Sequence, residues 1–339
     1  MQFKVSLLLF LFLLCASAVA LAQTPAEQDD VIRVETDITN LLFTATDKQK
    51  RFVTTLRQED IRVLEDGVRQ ELFTFQQETD RPLSIALLID VSISEQRTLP
   101  QEKAAARSFI ETVIRSSKDQ VAIIPFTGTA YLEQPLTRDV LGIFRALERV
   151  DIAAPSYLGT GTAIGGIRTG PGLLATPPEG STAIWDAVAV SATEVLDQSQ
   201  DQRRRAIILL TDGQDTTSRV THGEAINRAL AAECVIYAIG IGDKKYGGVE
   251  KGKLRDIAER TGGRAFFPKK EDDLTAAFVE IEKELRTQYL IAYSSTNKRR
   301  DGAYREVKIE ITNPVFQEQK LKVRHRPGYF AKPLTGPRR

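Results

Sequence analysis

The chain has 339 residues, 42% apolar and 27% charged, which excludes a collagen-like or wholly disordered polymer and leaves room for two domains. A formal charge of +1 gives no global basic bias toward nucleic acid, and the two histidines, His222 and His325, leave little for His-rich zinc sites or His-based catalysis. The two cysteines, Cys15 and Cys234, are far apart and exclude a disulfide framework.

Lys4, the apolar run 5–14 and the small-residue exit Ala20-Leu21-Ala22 have the form of a secretory signal peptide over residues 1–22. Cleavage after Ala22 would leave an extracytoplasmic protein, secreted or periplasmic, with no further stretch apolar enough to span a membrane. Cys234, in the apolar context Cys234-Val235-Ile236-Tyr237, is then the one remaining cysteine and reads as a buried, inert thiol.

Residues 23–79 predict short strands. Ile61–Glu65 and Arg69–Gln76 flank Asp66-Gly67, a hairpin signal because glycine tolerates the positive φ of the turn. Residues 80–292 alternate between two patterns. Apolar runs at 83–89, 121–126, 206–210, 235–241 and 290–293 predict strands buried on both faces of a parallel sheet. Residues 103–116 and 272–287 predict amphipathic helices, and the alternation implies a doubly wound α/β domain. Six glycines and Pro171 within Gly159–Gly172 predict a surface loop.

Residues 293–330 return to strands, with Val307, Ile309 and Ile311 alternating with Lys308 and Glu310. Neither end has strands enough for a sandwich of its own. The two ends are therefore expected to pair as a small β-sandwich-like domain into which the α/β domain is inserted, followed by a disordered tail at 331–339. Residues 286–339 carry 13 Lys and Arg against 4 Asp and Glu. An anionic envelope polymer would suit that charge, although basic residues that block edge pairing explain it more simply.

Three segments carry oxygen donors at predicted strand ends, where ligands bind in open α/β sheets. The first buried strand ends in Asp90-Val91-Ser92-Ile93-Ser94, a later one in Thr211-Asp212-Gly213, and Thr182 precedes a helix between them. In this order they resemble the von Willebrand factor type A family and its metal-ion-dependent adhesion site, over about residues 80–292. The resemblance implies a six-stranded, mostly parallel sheet with one antiparallel edge strand. It also implies a divalent cation (Mg²⁺, or Mn²⁺ or Ca²⁺) held by hydroxyls of Ser92, Ser94 and Thr182, with Asp90 and Asp212 acting mainly through water. The motif I-x-V-x-E-D-G at 61–67 and the ending Arg326–Phe330 resemble secreted proteins described from Acidobacteria.

Neutral hydroxyls leave a cation with an open position that a carboxylate fills well. The expectation is an exported, non-enzymatic protein-binding or adhesion module whose cation coordinates an Asp or Glu of a partner protein. The alternative is a structural cell-envelope protein with an idle metal site. A metal-assisted hydrolase lacks a general base, since neither histidine lies in these motifs. Asp186, four residues after Thr182, reads as a support for the site by hydrogen bonds, and Asp215 either tunes the site or, as the simpler reading, is a solvated loop carboxylate.

Overall fold

The computed structural model describes residues 38–77, 81–152, 162–164, 181–198, 203–242 and 247–333. The expected leader and most of the expected tail lie outside them. The first strands are β1 (Ile38–Thr46), β2 (Ile61–Glu65), β3 (Val68–Gln70) and β4 (Leu72–Gln77). An alternating region follows: β5 (Leu83–Asp90), α1 (Leu99–Val113), β6 (Gln120–Phe126), β7 (Ala130–Leu132), β8 (Gln134–Thr137), α2 (Val140–Arg149), β9 (Thr162–Ile164) and α3 (Ile184–Val190). It continues through β10 (Arg204–Thr211), α4 (His222–Ala231), β11 (Cys234–Gly240), α5 (Lys251–Arg260), β12 (Ala265–Phe266) and α6 (Glu271–Arg286). The chain then forms β13 (Tyr289–Ser294), β14 (Tyr304–Ile311), α7 (Pro314–Glu318), β15 (Lys322–His325) and β16 (Gly328–Phe330).

The central sheet is mixed, with eight strands in the order β12-β11-β10-β5-β6-β7-β9 and β8 beside β6. The pairs from β12 to β6 are parallel, and β7, β8 and β9 pair antiparallel. Uniformly apolar strands follow from helices on both faces. Ile85, Leu87 and Ile89 of β5 pack with Phe109 of α1, Ile143 of α2 and Ile281 of α6, whereas Ala86 and Leu88 pack with Val188 of α3, Ile226 of α4 and Ile257 of α5. The chain leaves β5 to β6 on one side and reaches β10 on the other, so the order reverses at β5–β10 and opens a crevice at their carboxyl ends.

Strands from the two ends form two further sheets, β15-β1-β13-β4 and β16-β14-β2-β3. They share an apolar cluster that includes Leu41, Phe43, Val63, Tyr289, Ile291, Val307 and Ile309, and the Phe43 and Tyr289 rings stack at 4.9 Å.

Four expectations are corrected. Residues 290–293 are not a strand of the central sheet. They lie in β13, between β1 and β4, where burial on both faces also favours an unbroken apolar run. The central sheet has eight strands rather than six, because a short antiparallel group extends one edge. The run Arg69–Gln76 divides at Glu71, and its halves join different sheets. Within the Gly-rich stretch, Thr162–Ile164 is a strand paired to β7; the rest of that stretch lies outside the described residues. No helix among the described residues is long and apolar enough to cross a membrane.

Candidate metal centre

Asp90 is the last residue of β5 and Asp212 follows β10 directly, so parallel pairing carries both to the crevice where the strand order reverses. Both are buried, as are Ser92 and Thr182. Asp90 is held from two sides: Oδ1 accepts the Ser92 backbone N–H at 3.0 Å, and Oδ2 accepts the Thr211 hydroxyl at 2.6 Å. Each oxygen retains one lone pair for a further donor, a water or a cation. The Ser92 and Ser94 hydroxyls lie 3.0 Å apart. Asp212 Oδ1 accepts the Gln214 N–H at 2.8 Å, which turns the chain at Gly213, where φ is +85°. A side chain at Gly213 would also crowd Leu254 and the Glu250 carbonyl.

Thr182 enters the same edge from a different segment. Its N–H donates to Thr216 Oγ1 at 2.8 Å, and its carbonyl accepts the N–H groups of Thr216 and Thr217 at 2.9 and 3.1 Å. The next residue, Ala183, donates to the Thr127 carbonyl beyond β6 at 2.7 Å. Thr182 is thereby fixed between the loop that follows Asp212 and the end of β6.

Two further acids, Asp186 in the first turn of α3 and Asp215 in the loop after β10, do structural work. Asp186 Oδ1 accepts the N–H groups of Arg219 and Val220, at 3.0 and 2.8 Å, and ties that loop to α3. Asp215 departs from the solvated role expected of it: it is half-buried, and its Oδ1 accepts the Ile184 N–H at 2.8 Å and the Ser218 hydroxyl at 2.5 Å. It satisfies an N–H at the start of α3 that no earlier turn could satisfy.

The structure adds an acid that the motif reading missed. Glu95 lies in the 3-10 turn Ile93–Glu95, is fully buried, and places a carboxylate oxygen within 4.8 Å of one from each of Asp90 and Asp212. Behind it, Glu102 in the first turn of α1 is also fully buried. The signal for Glu102 was in the sequence: an acid on the helix face otherwise made of Leu99, Ala106, Phe109 and Val113. Burial pushes the Asp90 carboxyl up to about 6. Burial also raises Glu95, which the charge of Glu102 and then that of Asp90 raise further, and it raises Glu102, which the charges of Asp90 and Asp212 raise further. Asp212 is raised by burial as well. The donors are carboxylates and hydroxyls with no sulfur or imidazole, a set that fits a hard divalent cation. The one described cysteine, Cys234, is buried on β11 with its thiol pushed up by burial to about 12.

Sequence models of the von Willebrand factor type A domain match residues 85–214 and 173–280. No curated protein matches the sequence. Among solved structures, proximal thread matrix protein 1 of the mussel byssus, in a form with a zinc-occupied MIDAS motif, is 17% identical, with a TM-score of 0.46 over 62% of this chain and 50% of that one. The chain thus spans about half the length of the mussel protein. A von Willebrand factor type A protein from Catenulispora acidiphila is 14% identical, with a TM-score of 0.48 over 88% of this chain and 74% of that one. BatB from Bacteroides thetaiotaomicron is 18% identical, with a TM-score of 0.44 over 60% of this chain and all of that one.

Proposed function

The chain carries a von Willebrand factor type A domain, and from that premise we propose that it is a metal-dependent protein-interaction module. In this reading Asp90, Ser92, Ser94, Thr182 and Asp212 hold a divalent cation, Mg²⁺, Mn²⁺ or Ca²⁺. An Asp or Glu of a partner protein completes its coordination. The observation that carries the reading is the convergence of buried acids at the strand-order reversal, with carboxylate oxygens of Asp90, Glu95 and Asp212 within 4.8 Å of one another. Both Asp90 oxygens already accept protein hydrogen bonds, which suits a role through bound water and leaves the serine hydroxyls for direct ligation. The cation would act as a Lewis acid toward a carboxylate, and the domain's role is binding rather than turnover.

Pairing of β1 with β13 and β15, and of β2 with β14, supports a split β-domain that displays the binding domain. The pattern of Lys4, the apolar run 5–14 and Ala20–Ala22 supports a position outside the cytoplasm.

Calorimetric titration with Mg²⁺, Mn²⁺ and Ca²⁺ tests the site: wild type should bind, and Asp90→Ala should not, while its circular dichroism stays native. Equal titrations would remove the metal reading. Capture of an acidic partner should then disappear with EDTA and weaken by about 2 kcal/mol in Thr182→Ala, the scale of one lost interface hot spot. Capture indifferent to both would leave the partner docked elsewhere.

A further inference from the structure

The turn that carries Glu95 places one more carboxylate at the metal centre than the five-residue set contains. Glu95 Oε2 accepts the Thr98 hydroxyl at 2.6 Å, whereas Oε1 is buried without a hydrogen-bond partner. Both oxygens of Glu102 are likewise buried, with only the Thr98 hydroxyl and the Glu95 carboxyl as polar side-chain neighbours. Neither acid forms an ion pair with a described residue. A buried carboxylate in that condition needs a cation or a proton to offset the loss of hydration. Oxygens of Glu95, Asp90 and Asp212 lie within 4.8 Å of one another, so an ion bonded to Glu95 at about 2.1–2.6 Å would be near enough to Asp90 and Asp212 for them to act on it through bound water.

We propose that Glu95 ligates the cation directly through Oε1, as a third carboxylate, with Glu102 adding negative charge from the first turn of α1. The Thr98 hydroxyl holds Oε2, so the free oxygen is presented in one orientation with little side-chain entropy left to lose. The ion is therefore retained without a partner, and an acidic partner residue completes its coordination by replacing a bound water. The proposal rests on the metal-site reading above and narrows it, because three carboxylates neutralise a divalent ion more fully than hydroxyls alone.

The test uses the whole protein and the metal alone. Tb³⁺, a luminescent stand-in for Ca²⁺, reports the number of metal-bound waters from its lifetimes in H₂O and D₂O. Glu95→Ala should gain about one metal-bound water. It should also lose about tenfold or more in Ca²⁺ affinity. Glu102→Gln should weaken binding less and leave the water count unchanged. Should Glu95→Ala fail to fold, the near-isosteric Glu95→Gln should still show the affinity loss. Unchanged affinity in a folded Glu95 variant would overturn direct ligation, and so would a loss of affinity without a gained water in Glu95→Ala. A wild-type protein that takes up neither Tb³⁺ nor Ca²⁺ would overturn the metal site itself, which separates the two failures.

Discussion

Asp119 shows how one side chain holds several segments. It is fully buried, and its carboxylate accepts the Leu83 N–H at 2.8 Å, the Arg115 N–H at 3.0 Å and two guanidinium N–H groups of Arg115 at 2.9 and 3.0 Å. Burial alone would raise this carboxyl, but those bonds hold it below its usual value. Asp119→Ala should cost about 3 kcal/mol in urea unfolding at pH 7, since it removes the carboxylate that Arg115 pairs with and strands the buried N–H that opens β5. A loss below about 0.5 kcal/mol, typical of an exposed pair, would show the network to be dispensable. Residues of this kind are hard to read from sequence. Asp119 and Arg115 look like a solvated i,i+4 pair, and only the fold brings Leu83 to them. Asp90, Ser92 and Ser94 could be grouped as candidates from the sequence because their spacing is local, spanning five residues at the end of one strand. Glu95 could not, because its meaning depends on Asp212, over a hundred residues away.

At the scale of elements, two glycines separate two costs. Asp66 and Gly67 join β2 to β3 with φ of +48° and +80°, the left-handed pair of a tight hairpin turn. A methyl group on Gly67 meets nothing within 4 Å, so Gly67→Ala should cost only the conformational preference, about 1 kcal/mol. At Gly263, between α5 and β12, the added carbon would lie 2.1 Å from the Ile236 carbonyl of β11. Gly263→Ala must push the connection off the sheet and should cost more, about 3 kcal/mol. Urea midpoints of the two variants check the order, and a reversal would contradict the packing of this corner. The hairpin could be read from Asp66-Gly67 alone. The allegiance of β13 could not, because an unbroken apolar run is equally suited to a parallel strand and to a strand enclosed between β1 and β4.

At the scale of the molecule, the buried acids link stability to pH and to the ion. In the metal-free protein Asp90, Glu95, Glu102 and Asp212 are all raised, so from about pH 4 these four groups hold more protons in the native state than unfolded, against the opposing group His325, which burial lowers. Bound protons in excess on the native side make stability fall as pH rises. In EDTA the urea midpoint should therefore decline from pH 5 to pH 8, and a saturating divalent ion should remove the decline by taking the place of the protons. A midpoint in EDTA that is flat or rises over this range would contradict the buried-acid description. A second expectation concerns the split. The polypeptide 81–288, which keeps the central sheet and helices α1 to α6, should melt cooperatively on its own. Residues 38–77 should not, because Leu41, Phe43 and Val63 pack against Tyr289, Ile291, Val307 and Ile309 from the other end. Dispersed amide spectra from 38–77 alone would refute that dependence.

Local pattern determined the α/β alternation, the amphipathic helices, the half-buried β14 and the identity of the oxygen donors at strand ends. Each rests on periodicity or on a motif a few residues long, and both are properties of the chain itself. Tertiary structure decided which strands neighbour one another, that β13 joins strands from both ends, that Asp215 caps α3, and that Glu95 and Glu102 are buried without a cationic partner near Asp90 and Asp212. Those outcomes depend on contacts between residues distant in sequence, whose loop-closure cost and packing are settled only when the whole sheet has formed.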